Sequence, residues 1–258
     1  PNSSEGWNQS HYYQWEKDKY DKLILNEDRE LEFGKEFVNV RIENKIYDPN
    51  VPPRFIWNGQ NFASPWPWFE DAAFQMIIVN PKLGKWVLNN PSSNNGSINP
   101  TNNIIDPYVY LLNSKKSRED FINLIEKTDK GNYILLYSAQ KNTINSYYNN
   151  DWESDSISFG KNIFSVLENE GARKIRQIKQ IGSVPYIFFF KKGEGLLCES
   201  IADSITDIIN CEIDLLRNLR NGNLNTNKIG PAKYWNNLEI NIDPKKNPSD
   251  SSWVSVIG

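Results

Sequence analysis

Short apolar runs bounded by Asn, Asp, Gly and Pro fill the first part of the chain. Leu23–Leu25, Leu31–Phe33, Phe37–Ile42 and Arg54–Trp57 all have strand length, and the third alternates apolar and polar positions as a half-buried strand does. This predicts part of an antiparallel sandwich. The run Phe62–Phe69 contains Pro65 and Pro67, neither of which can donate to a sheet ladder, so it reads as a loop presenting Trp66 and Trp68. Phe74–Val79 and Trp86–Leu88, joined through Pro81 and Gly84, predict a hairpin. Residues 89–103 are almost entirely Asn, Ser, Gly and Pro and predict a mobile surface loop.

Ser117 followed by Asp120 resembles a capping box, and Phe121, Leu124 and Ile125 share one helical face before Gly131, which predicts a helix over 117–128. The unbroken apolar run Tyr133–Tyr137 predicts a strand covered on both faces. Phe159, Ile163, Val166 and Leu167 recur at helical spacing up to Gly171, which predicts a second helix over 158–169. Ile175–Ile181, Tyr186–Phe190, Ile208–Ile209, Cys211–Leu216, Leu238–Ile242 and Trp253–Ile257 are read as further strands. No repeat with a period of 20 to 50 residues is present. The pattern is that of a β-rich α+β protein with two short helices.

Composition narrows the function more than the fold. The 258 residues suit one large or two ordinary domains, and an aromatic content of 13% marks a chain that folds around a core despite its polar, Asn-rich surface. A formal net charge of −3 with no basic block argues against nucleic acid as the partner. Only His11 supplies an imidazole, which removes most metal sites and most Ser-His or Cys-His chemistry. Cys198 and Cys211 are too few for a disulfide scaffold or a paired zinc motif; they either pair with each other or lie as two buried thiols. No stretch approaches the ~20 apolar residues of a membrane span. Pro1 opens a polar segment without a signal-peptide pattern, and since the chain starts without an initiator Met it reads as a piece of something longer or a processed product.

The candidate chemistry is recognition. An indole face stacks on a pyranose ring while neighbouring Asn, Asp and Gln bond its hydroxyls, which singles out Trp57, Trp66, Trp68, Trp86 and Trp152. Of these, Trp66, Trp68 and Trp152, with Asp151, are taken as the carbohydrate-binding candidates. Glu70-Asp71 and the trio Asp151, Glu153, Asp155 lack a calcium-loop pattern and read as solvated surface, with no metal assigned. Carboxylate pairs in a chain with 32 acidic residues do not define a glycosidase. Ser10 and His11 are adjacent and would point to opposite faces of a strand. No catalytic residue and no cofactor is predicted.

One stretch resembles a known domain. Ile77-Ile78-Val79-Asn80-Pro81-Lys82-Leu83-Gly84-Lys85, then Asp106-Pro107-Tyr108, Phe121-Ile122, Gly131-Asn132-Tyr133-Ile134-Leu135, Leu167 with Glu170-Gly171-Ala172, and Tyr186-Ile187-Phe188 resemble the interleukin-like EMT inducer (FAM3/ILEI-like) domain. The flanking segments Glu5–Trp15 and Ile229–Trp235 resemble those framing that domain in large Bacteroidetes extracellular proteins of the type IX secretion, gingipain-like-associated kind. The resemblance implies a non-catalytic β-sandwich with two short helices at 62–192, inserted between strands of an outer β-sandwich module. On that reading 1–61 holds the first strands of the outer module, 193–230 its return strands, and 231–258 its closing strands or the start of a further β-module. It further implies a secreted or bacterial cell-surface location and a partner that is a carbohydrate, another surface protein or other domains of the same parent chain. A structural or assembly role, or an accessory region of a peptidase whose active site lies elsewhere, are the competing expectations.

Overall fold

The computed structural model describes residues 35–46, 48, 53–62, 72–81, 107–141 and 145–218, together with short strand segments at 13–14, 23–25, 31–33, 85–86, 98–99, 104–105 and 225–226. In chain order the strands begin with β1 (Tyr13–Gln14), β2 (Leu23–Leu25), β3 (Leu31–Phe33), β4 (Lys35–Asn44), β5 (Arg54–Trp57), β6 (Gln60–Phe62), β7 (Ala73–Asn80) and β8 (Lys85–Trp86). There follow β9 (Ile98–Asn99), β10 (Ile104–Ile105), β11 (Tyr108–Tyr110), helix α1 (Lys115–Lys127), β12 (Tyr133–Ala139), α2 (Asp151–Phe159) and α3 (Ile163–Asn169). A 3-10 turn (Ile175–Gln177) leads into α4 (Ile178–Ile181), and β13 (Tyr186–Lys191), β14 (Gly195–Ile201), β15 (Ile209–Asn218) and β16 (Asn225–Thr226) close the series. The strands expected at 238–242 and 253–257, and the tryptophan loop of Trp66 and Trp68, lie outside the described residues.

The chain divides into two compact units, one of residues 1–34 with 221–258 and one of residues 35–220. In the first, β1 pairs with β16 and β2 with β3, all antiparallel. The boundaries expected at 61/62 and 192/193 fall inside the second unit. There β4 and β5 pair in one sheet with β15, and β13 runs through a tight turn straight into its partner β14.

The second unit is built in three layers. Its central sheet is six-stranded, in the order β11-β7-β12-β13-β14 with β8 beside β7, and its outer sheet is four-stranded, in the order β15-β4-β5-β6. Every pairing in both is antiparallel. Because successive side chains on a strand alternate faces, β12 and β13 supply two cores at once. Ile134, Leu136, Tyr186, Phe188 and Phe190 pack under the helices with Phe121, Ile125, Trp152 and Phe164. Tyr133, Leu135, Ile187 and Phe189 pack between the sheets against Val38, Val40, Ile42, Phe55 and Leu215. Among the described residues the fold is thus β-rich and sandwich-like, with four short helices on the far face of one sheet. The reading of Tyr133–Tyr137 as a strand covered on both sides agrees with its uniform burial.

Three helical expectations change. Ser114, not Ser117, caps α1, accepting from the Ser117 N–H, so the helix begins at Lys115. The single helix expected over 158–169 is two: Gly160, left-handed at φ 72°, ends α2, and Asn162 and Ser165 exchange capping hydrogen bonds to start α3. Ile175–Ile181 is not a strand but a 3-10 turn and α4, which buries Ile175 and Ile178. Their three-residue spacing suits a tight helical turn and could not alternate. Within the expected loop 89–103, the described residues Ile98–Asn99 pair with Ile104–Ile105.

Cys198 and Cys211 form a disulfide, with Cα atoms 6.0 Å apart. It joins β14, an edge of the central sheet, to β15, an edge of the outer sheet. A β-bulge makes this possible. Phe190 opposes Leu196 but Phe189 opposes Cys198, so Leu197 is an extra residue and Cys198 turns to the face between the sheets. A bridge spanning 13 residues stabilises by about 3 kcal/mol, chiefly by restricting the unfolded chain. Serine at both positions is expected to lower the urea-unfolding free energy by about that amount; an unchanged midpoint would show the bridge absent in solution.

Candidate binding face

Several buried polar side chains tie elements of the fold to one another. Arg118 on α1 and Asp155 on α2, each almost fully enclosed, form a two-pronged ion pair in which Nη2 donates to Oδ1 at 3.0 Å and Nε to Oδ2. The remaining Arg118 nitrogen donates to the Leu112 and Asn113 carbonyls, so the guanidinium ties two helices to the loop that precedes them. Between the sheets, Asn44 at the end of β4 donates to the Ser138 carbonyl at 2.9 Å, the Ser138 hydroxyl at 3.2 Å and the Tyr186 carbonyl at 3.2 Å. Tyr147 donates to the Val184 carbonyl at 2.6 Å and accepts the Val184 N–H. Burial holds its hydroxyl well above the ordinary tyrosine range. The Tyr186 hydroxyl is raised too, first by burial and then by the Glu199 carboxylate, to which it donates at 2.8 Å. Each of these groups is aimed at protein atoms.

The sequence-derived candidates separate. Trp152 is fully buried, ringed by Phe74, Tyr148 and Phe164 at centroid distances of 5.8, 5.3 and 5.4 Å, and its Nε1 donates to the Leu112 carbonyl at 3.4 Å. It offers no ring face to a ligand, which corrects its assignment to a sugar platform; the ring is large enough to be worth more as core. Asp151, its neighbour, is exposed in the first turn of α2, where a carboxylate complements the helix dipole. Trp57 is half-buried and packs against the core between the sheets. Trp66 and Trp68 lie outside the described residues, and the side chain of Trp86 does too. Of the acidic trio, Asp155 is buried against Arg118. Glu153 pairs on the surface with Lys179, whose hydrogen bond is the main cause of its lowered pKa.

A different surface carries the features expected of a binding platform. On β4 the positions Val38, Val40 and Ile42 point inward, which turns Phe37, Asn39, Arg41 and Glu43 to the outside of the four-stranded sheet. Phe37 is 66% exposed. Register then builds a grid across the strands: Phe37 beside Leu216, Asn39 beside Asp214, Arg41 between Glu212 and Ile56, and Glu43 between Asn210 and Arg54. The Asn39 amide donates at 3.0 Å to both Glu212 and Asp214, fixing the two carboxylates side by side. The result is a sheet face with an aromatic ring at one end and a run of hydrogen-bonding groups of both polarities along it. The sequence alone does not single out these residues, because Phe37 reads as one more apolar position of its strand. The signal available was the alternation itself, which places Phe37 opposite in parity to Val38, Val40 and Ile42. Among the described residues, no group of three or more His, Cys, Asp or Glu side chains is placed to hold a metal ion, and no helix is long and apolar enough to cross a membrane.

No protein-family model matches the chain, and no curated protein matches it either.

Proposed function

We propose that the 35–220 unit is a non-catalytic, ILEI-like recognition module of a secreted or bacterial cell-surface protein, and that it binds carbohydrate through the outer face of the four-stranded sheet. The observation that carries this reading is the exposed Phe37 ring set beside the fixed Asn39, Glu212 and Asp214 array. Sugars are recognised by an apolar ring face stacked on an aromatic side chain and by hydroxyls that both donate and accept, and this face supplies each. The Cys198–Cys211 bridge supports an oxidising compartment. A parent protein of the type IX-secreted Bacteroidetes kind is the setting that the sequence resemblance implies.

The test is a glycan array probed with the full chain and with Phe37→Ala and Asp214→Ala variants. Saturable binding to neutral glycans is expected, weakened about tenfold by either substitution, which corresponds to about 1.4 kcal/mol. A flat array, or binding that both variants retain, would sink the carbohydrate reading.

A second reading, a structural or assembly domain, is favoured by a separate observation. Lys35 and Asn218 oppose each other in the β4–β15 ladder, so β4 begins beside the point where β15 ends. That is how a spacer inserted into a larger assembly is attached.

A further inference from the structure

We infer that β14 has a second, bulge-free register available to it, and that the observed register is held by two catches either of which suffices alone, the Cys198–Cys211 bridge and the Glu199 carboxylate. From the turn, Lys191 opposes Gly195 and Phe190 opposes Leu196. Continued without a bulge, that pairing would set Leu197 opposite Phe189, Cys198 opposite Phe188 and Glu199 opposite Ile187. A shift of one residue exchanges faces throughout a strand. Leu197, now 42% exposed, would enter the core between the sheets, and burial of that side chain favours the change. Cys198 would turn to the helix side, away from Cys211 on the outer sheet.

Two features oppose the shift. The bridge forbids it covalently. Glu199 opposes it chemically: its two oxygens accept the backbone N–H groups of Arg173 at 2.8 Å and Lys174 at 2.9 Å, and one also accepts the Tyr186 hydroxyl. In the shifted register the carboxylate would face Ile187 between the sheets, where Ile187 and Phe189 are fully buried, and a charge there without partners is strongly disfavoured. Gly171 adds a fit on the same edge, since a Cβ there would lie 3.0 Å from the Leu196 nitrogen. The strand therefore moves only when both catches are released, and a dithiol reductant alone leaves it in place.

The experiment compares the full chain with Cys198→Ser/Cys211→Ser, Glu199→Leu and the combined variant, following amide hydrogen exchange over 195–201 and the methyl environment of Leu197 by NMR. Each partial release should leave the Leu197 methyls in solvent. In the combined variant they should contact Phe189, and protection of the 196–200 amides should fall by a further factor of about ten beyond the product of the separate effects, the signature of coupled catches. Deleting Leu197 removes the extra residue while keeping Cys198 opposite Phe189, so the deletion placed in the combined variant should restore protection, or restore folding where the combined variant fails to fold. Effects that simply multiply, with Leu197 still in solvent, would overturn the inference. So would a deletion that rescues nothing.

Discussion

Alanine in place of Asp155 should destabilise the 35–220 unit by about 3–5 kcal/mol, because it strands the Arg118 guanidinium in an apolar setting between α1 and α2. Both side chains of the pair are almost completely enclosed, at 2% and 3% exposure. Arg118 would keep its bonds to the Leu112 and Asn113 carbonyls but lose the charge that compensates it. At roughly 2–4 °C per kcal/mol for a body of this size, the melting temperature should fall by about 10 °C. Replacing both partners together, Arg118→Met with Asp155→Leu, should recover much of the loss, since an apolar pair of similar volume carries no desolvation penalty. Thermal and urea unfolding of the single and double variants check this. A single variant within about 1 kcal/mol of the parent would mean that the pair is hydrated in solution.

Trp152→Ala is the second large effect, an expected loss of about 3–5 kcal/mol from a cavity in the core beneath the helices. The ring bridges three aromatic neighbours from three elements, Phe74 on β7, Phe164 on α3 and Tyr148 in the segment before α2, so little around it can collapse into the space. Trp152→Phe should recover part of the stability and forfeit the Nε1 bond to Leu112. The measurement is near-ultraviolet circular dichroism with equilibrium unfolding. A fully stable Trp152→Ala protein that has lost glycan binding would reinstate Trp152 as a ligand contact.

What could be read from the chain, and what could not, follows from how burial is written in sequence. Tyr133–Tyr137 and Tyr186–Phe190 are apolar without interruption because both faces of these strands are covered, and this is visible without a structure. The α2 helix was invisible for the opposite reason. Its buried positions are Trp152 and Asp155, its Ile157 is 89% exposed, and a stripe that includes a carboxylate does not register as apolar periodicity. Asp155 looked like surface because its partner, Arg118, is distant in the chain and on another helix. The disulfide stayed open for a related reason: Cys198 reaches the face of Cys211 only through the bulge at Leu197, which no alternation pattern announces. Phe37 belongs to a strand legible from its alternation, and that alternation already sets it opposite in parity to Val38, Val40 and Ile42; which of the two faces is covered is decided by the opposing sheet.

The antiparallel neighbours Lys35 and Asn218 are a few ångströms apart at the Cα level, as paired residues are. A chain that departs and returns at almost the same point asks of its host only the closure of a gap no wider than a hairpin's, and the entropy of that closure is nearly independent of how many residues are carried beyond it. On the proposed assembly reading, such a cassette would accept grafting, lengthening or exchange without a change to the polypeptide on either side.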